Sequence, residues 1–580
     1  HSVLQSDDAQ SEPLIAGMIS LAKQYPFPPN RKIPDSIDLG ITRKNQCVSG
    51  GKFSDYVRDY PYGGMPFAVT GLSDQEYALL AGWVKKGAVI TDEPVTLTGG
   101  EKESLQQWES FFNRDDNRSK LVARWLYEHL FMATLYFPDL DGKLRFFELI
   151  RSSTPPGRDV IPISTVFPNE DPEQPFFYRI RPIVGNILHK RRMPYPLNHA
   201  KQRRINELFF AHEWPVSDLP GYSYAERVNP FATFAAIPAY ARYRFMLDDA
   251  EYYVRNVIHG PVCRGQIATD VIRDRFWVLF QNPESDPFIT NNAYQRQAVP
   301  LLEMPGQNDD PLAMGEEWLR YLSHHNDYLA QRRSQYVLQY PGGASLDHLW
   351  DGDNRNKDAL LTIARHYDSA SVARGLIGDI PQTLWLMDYP LLERTYYILV
   401  VNYNVFGNVA HQLLTRLYFD LIRNSSEHNF LRLIPDGQRT DILHDWYQHS
   451  GKLKFGIFYE NIDDVSPSAE NFTTDDPKQE LALRILQRFE SINAMANDPI
   501  NRCQAMSCVR SDQPLWIQKA DQALSAIAAR PAAHLAGINR LPEVTFVRVK
   551  HDQDKRTAYT LLRDRAHTNV AFILGEELRY

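Results

Sequence analysis

The residues of this sequence that could do chemistry are few and widely spaced. Met65 stands between Gly64 and Pro66, and its thioether is a soft ligand suited to a transition metal. The plainer reading is a core methionine beside a turn. Cys263 sits between Pro261 and Gly265, in what reads as a tight turn after a helix. Its thiol is either a source of a thiyl radical or a small, inert, buried group. His411 falls in a helical stretch with Asn408, Gln412 and Arg416 nearby, so it either lines a polar pocket, where it could bind iron, or is a hydrogen-bonded structural histidine. Arg264 and Arg416 have the planar donor geometry that grips a carboxylate or phosphate. Asp388, Glu393 and Arg394 form a charged set that could pair and fix the start of a long helix. His324 and His325 lack ligand spacing to other candidates and read as surface residues.

The elements that must position these groups are mostly helical. Ile15 to Leu21 reads as a short helix, broken by Pro26, Pro28 and Pro29. Ser73 and Glu76 make a capping box for a helix through Val84, and Gly87 stops it. Val95 to Gly100 reads as a linker. Ser119 can cap a helix whose apolar stripe is Val122, Trp125, Leu126, His129, Ala133 and Tyr136. Long helices are expected over 239–258, 316–338 and 391–423. The run from Tyr396 to Val401 is apolar on every side, as in a core or the wall of an apolar tunnel. Glu480 to Asn493 is amphipathic, with Leu481, Ile485, Phe489 and Ile492 on one face. Strands are expected over 144–150 and 176–183, and a C-terminal antiparallel meander over 544–550, 557–562 and 569–574. The class is α+β with helix dominant. The domains implied are a small helical unit, 1–94, and a large mixed one, 101–580.

Bulk composition narrows the partners. Net charge is −8 with no basic stripe, which argues against nucleic acid, because phosphate contacts dominate such binding. With four cysteines in 580 residues there is no disulfide scaffold, although Cys503 and Cys508 are spaced for a short loop. No apolar run reaches the ~18 residues of a membrane helix. The chain begins at His1 rather than Met and shows no signal peptide, so an upstream segment is expected to have been removed.

The stretch Gly64-Met65-Pro66, followed by the capped helix from Ser73, resembles the last third of a small c-type cytochrome. There a loop Met is an axial ligand and the terminal helix packs on the haem edge. The attachment motif C-x-x-C-H is missing, since Cys47-Val48-Ser49-Gly50-Gly51 has one Cys and no His. Longer stretches resemble the fatty acid cis/trans isomerase family of Gram-negative bacteria. They include Asp59 to Ala88, Gly260-Pro261-Val262-Cys263-Arg264-Gly265-Gln266 on through Trp277, and Leu386-Met387-Asp388-Tyr389-Pro390-Leu391-Leu392-Glu393-Arg394 on through Tyr418. Asn429-Phe430-Leu431 completes the likeness. The resemblance implies an exported, periplasmic isomerase with haem c, whose attachment segment lies upstream of this chain. It implies unsaturated fatty acids or phospholipids as substrates, peripheral contact with the inner membrane, and no nucleotide.

Rotation about a C=C bond breaks the π bond, and the trans product is the more stable. The catalyst must weaken that bond briefly and needs no ATP. Haem can withdraw electron density from the alkene, or a thiyl radical can add, permit rotation and leave. Cys263, His411 and Arg416 are the candidate catalytic residues, and Met65 is the candidate haem ligand. The rival reading is an electron-transfer cytochrome fused to a lipid-binding domain.

Overall fold

The computed structural model describes residues 13–562 apart from 27–47, 49, 67–70, 89–94, 143, 186, 188–191, 260–274, 305–313, 367–368, 405–408, 447–465, 499, 503–512, 529–539, 542–543 and 552–554. The chain divides into two compact units, one built on His1–Thr96 and the other on Leu97–Phe572. Helices dominate, with two four-stranded sheets and a two-stranded ribbon, an α+β architecture.

In the first unit three α-helices are described: Leu14–Gln24, Phe53–Asp59 and Asp74–Lys85. The expected capping box is present. Ser73 accepts from Glu76 N while the Glu76 carboxylate accepts from Ser73 N. Gly87 ends this helix with φ +89°, a conformation glycine adopts at little cost. The loop before it lies directly on the first helix. Met65 N donates to Met18 O at 2.9 Å, and a Cβ on Gly64 would stand 2.2 Å from Ala22 N. Only glycine permits that approach.

The second unit holds the main core. The helix Asn117–Leu130 buries nearly every side chain, and its cap is Asp116, whose carboxylate accepts from Ser119 N at 2.9 Å. Ser119 is therefore in the first turn and does not cap it. The helix stops at Leu130, so Ala133 and Tyr136 leave the stripe; Tyr136 belongs to strand β1, Thr134–Tyr136. β2 (Phe147–Ser152), β3 (Phe177–Pro182) and β4 (Pro194–Pro196) join it in the order β3-β2-β1-β4.

The expected helix over 239–258 is two helices, Ala239–Asp248 and Ala250–His259. Asp249 breaks them at φ −129°, ψ 40°, with its carboxylate drawn to Tyr195 Oη at 2.8 Å and to Lys201 Nζ. A second sheet, absent from the sequence reading, comprises β5 (Arg275–Phe280), β6 (Leu360–His366), β7 (Ser369–Arg374) and β8 (Leu384–Met387) in the order β7-β6-β5-β8. β5 and β8 run parallel, and the other pairs are antiparallel.

The long helix expected over 391–423 is also interrupted. An α-helix, Tyr389–Tyr396, passes into a π turn, Tyr397–Val401, and the helix resumes as Val409–Leu431. Asn402 marks the break. Its amide is held by Asn169 at 2.8 Å and by the carbonyl of Arg227 at 3.2 Å, which competes with continued helix. Met314–Gln339 follows its expected helix closely, Pro477–Arg488 starts earlier than expected and stops before Phe489 and Ile492, and Leu515–Ala528 is a further helix. At the C-terminal end β9 (Val544–Lys550) pairs antiparallel with β10 (Arg556–Leu562); the third expected strand lies outside the described residues.

Candidate functional site

The parallel strands β5 and β8 end side by side, and the chain beyond each delivers a carboxylate to one helix N-terminus. Such strand ends are where open sheets commonly hold ligands. After β8, Asp388 caps the Tyr389–Tyr396 helix, accepting from Leu391 N at 3.0 Å. After β5, Asp286 accepts from Tyr389 N at 3.0 Å and from Phe288 N at 2.9 Å. Two carboxylates thus meet the positive end of one helix. Arg332, from the Met314–Gln339 helix, donates to Asp388 at 2.8 and 3.1 Å and also reaches Asn429. Asp286 has no guanidinium of its own. Burial and the nearby Asp388 push its carboxyl up to about 7, against the opposing pull of the two backbone N–H groups.

One face of this helix turns Glu393 toward the Asn117–Leu130 helix. Trp125 Nε1 donates to Glu393 Oε1 at 3.2 Å, and His129 Nε2 stands 3.4 Å from the same oxygen. All three side chains are fully buried. His129 Nδ1 lies 2.7 Å from Trp125 O, and a carbonyl only accepts, so Nδ1 carries a proton. Nε2 then faces the carboxylate. Aromatic rings enclose the pair: Trp125 at 3.8 Å from the imidazole, Tyr396 stacked at 5.0 Å, and Tyr397 and Tyr253 edge-on. Tyr252 and Tyr396 both donate to His129 O, and Tyr397 donates to Glu128, which pairs with Arg124 at 3.0 Å.

The other face turns Arg394 between two further helices. Its Nε donates to Pro390 O of its own helix at 3.0 Å, and the guanidinium lies 5.0 Å from the Tyr328 ring. Nη2 is buried with no hydrogen-bond partner. Tyr321 and Tyr418 pack beside it with ring centres 4.7 Å apart, and Tyr418 Oη is likewise buried and unsatisfied. His325 stands next to Tyr321, and burial together with Arg394 and Arg332 holds its imidazole down to about 3. Other buried polar atoms without partners lie near the same helix. They include Tyr389 Oη, Glu393 Oε2, His129 Nε2, Tyr253 Oη, and Nε and Nη1 of Arg242, whose guanidinium lies 5.4 Å from the Tyr389 ring. Native interiors leave few such atoms, and each invites an explanation in water or ligand.

The structure places the sequence candidates as follows. Cys263 and Arg264 lie outside the described residues. His411 is buried, and its Nε2 accepts from Asn404 N at 2.9 Å, with the Tyr403 ring 5.5 Å away. Arg416 lies within the Val409–Leu431 helix, its side chain outside the described set. Met65 is 44% exposed, so it is not a core methionine. Two expectations are overturned. His325 is buried in the polar nest, whereas His324 alone is partly exposed, 3.7 Å from Glu303. Asp388, Glu393 and Arg394 do not pair with one another. Asp388 is spent on the cap and Arg332, and helical geometry turns residues 393 and 394 about 100° apart.

Sequence reasoning missed His129, Asp286, Arg332 and Arg242 as members of this site. The one signal was His129 inside an otherwise apolar stripe, one turn after Trp125. Among the described residues no group of His, Cys, Asp and Glu is placed to hold a metal ion, and no helix is long and apolar enough to cross a membrane.

Fold and site together define a large α+β protein that concentrates buried polar groups around one helix. The family model for fatty acid cis/trans isomerases matches residues 1–580, so the chain belongs to that family and is an isomerase. No curated protein and no solved structure matches it.

Proposed function

We propose that this protein converts cis double bonds of unsaturated fatty acids, and of phospholipid acyl chains, to trans at the periplasmic face of the inner membrane, in adaptation to membrane stress. The observation that carries this reading is the family match over the whole chain. The site supports it. An amphiphile needs apolar walls with a few placed polar groups. The fully buried run Tyr396 to Val401 adjoins a helix rich in unsatisfied polar atoms.

Haem, which the family resemblance implies, finds one suitable side chain here. Met65 offers an exposed thioether on a loop fixed by Gly64 against the first helix. Covalent attachment needs two cysteines and a histidine in C-x-x-C-H, and these 580 residues contain no such motif. The residues present do not attach the group. The share of this chain is to hold the acyl chain, exclude water and orient its polar end.

The test is gas chromatography of methyl esters after the protein is incubated with oleate or with dioleoyl phosphatidylcholine vesicles, without ATP. Trans product that grows with time and protein, at unchanged chain length, supports the reading. Folded protein that yields no trans product from either substrate rejects it.

A further inference from the structure

We propose that Arg394 and Tyr418 form a buried oxyanion receptor for the carboxylate of a free unsaturated fatty acid. This rests on the isomerase reading and adds to it the end of the substrate that is held and the residues that hold it. The Arg394 guanidinium is 1% exposed, and no described carboxylate pairs with it. The nearest one named by its charge, Asp388, is already bound by Arg332 at 2.8 and 3.1 Å and by Leu391 N. A buried cation normally has a counter-charge or a full set of acceptors, because desolvation is costly. Arg394 has one backbone carbonyl and one aromatic face.

The groups around it are neutral hydroxyls and an imidazole, none of which offers a counter-charge. Tyr418 Oη is buried beside Arg394 and Tyr321 without a hydrogen bond of good geometry to either, and Tyr321 Oη lies 3.3 Å from His325 Nδ1. His325 stays neutral there and supplies no competing charge. The missing element is therefore an anionic acceptor. A guanidinium and a phenol converging on one place match the two oxygens of a carboxylate. Leu414 precedes Tyr418 by one turn on the same helix and is buried, so apolar surface continues from the hydroxyl. A free fatty acid carries its charge at the tip of a single chain and can enter such a nest. A phospholipid phosphate carries glycerol and a second chain, which a site this enclosed excludes.

The test uses oleate, methyl oleate and dioleoyl phosphatidylcholine vesicles on the wild type, Tyr418→Phe and Arg394→Gln. Initial rates of trans formation are read together with the rise in thermal transition on adding each ligand. Tyr418→Phe keeps the ring and carries the test if Arg394→Gln does not fold. The receptor predicts that Tyr418→Phe raises KM for oleate about tenfold, the scale of one charge-assisted hydrogen bond, and leaves methyl oleate within about twofold. Arg394→Gln abolishes the preference for acid over ester. Equal effects on acid and ester, or none on either, overturn the receptor while the isomerase reading stands. Slowing confined to the vesicles also overturns it, because the oxyanion would be a headgroup phosphate. If nothing is isomerised but oleate alone still raises the wild-type transition, and Tyr418→Phe removes that rise, the receptor stands and the isomerase reading falls.

Discussion

On one side of the Tyr389–Tyr396 helix Glu393 is met by Trp125 and His129; on the other, Arg394 is met by no described carboxylate. The two are sequence neighbours and equally buried. Glu393 has Trp125 and His129 on one oxygen, and an aromatic cage closes around them. Arg394 has its own helix carbonyl and an unsatisfied Nη2. The Glu393 side leaves Oε2 and His129 Nε2 without hydrogen bonds but is closed by aromatic rings and serves the fold, while the Arg394 side holds a cation that no described carboxylate meets. The difference separates a structural buried charge from one retained for a ligand.

The largest expected effect lies at the N-terminus that both faces share. Asp388→Ala removes the helix cap and leaves Arg332 buried without a carboxylate, so unfolding free energy should fall by about 3–5 kcal/mol. Denaturant titration with an unchanged m-value checks this. A loss well under about 1 kcal/mol would mean that Arg332 finds relief elsewhere.

The two faces should then differ in sign or nearly so. Glu393→Gln keeps the shape but removes the carboxylate that faces Trp125 and His129 and should cost about 1–3 kcal/mol. Arg394→Met removes a buried, uncompensated charge at similar volume and should be neutral or stabilising. Comparable losses from both would erase the comparison.

A smaller effect is readable in pH. Asp286 holds its proton up to about 7 in the folded protein, while an unfolded Asp releases it near ~3.9. The folded state thus binds the extra proton between these values. Its stability contribution is complete below about pH 4 and is lost as pH rises through about 7. His325 acts the other way. Held down to about 3, it stays neutral in the fold while the unfolded histidine protonates below ~6.5. Its contribution is present above that value and is lost as pH falls. Wild-type stability relative to Asp286→Asn should therefore fall with rising pH, and relative to His325→Phe it should rise. Parallel slopes in the two comparisons would show that these groups do not titrate as their surroundings imply.

The sequence revealed what neighbouring residues decide. The Ser73/Glu76 capping box, Gly87 as the helix stop, and the buried face Leu481, Ile485, Phe489 and Ile492 all depend on spacings of a few residues. The sheet of β5 to β8 was not legible, because β5 and β8 are buried on both faces and lack the alternation that marks a strand. The break at Asn402 comes from Asn169, 233 residues away, and the Asp388 partner Arg332 comes from a separate helix. Glu393 and Arg394 were visible as charges. Their opposite fates were not, because those depend on which helices pack against each face.

The most direct test of the account compares trans formation from oleate and methyl oleate by wild type, Glu393→Gln and Tyr418→Phe, at a temperature where all three are folded. The account predicts that wild type prefers the free acid, that Glu393→Gln scales both rates alike, and that Tyr418→Phe loses rate on oleate alone. Selective loss of oleate in Glu393→Gln, or equal slowing of both substrates in Tyr418→Phe, would contradict it.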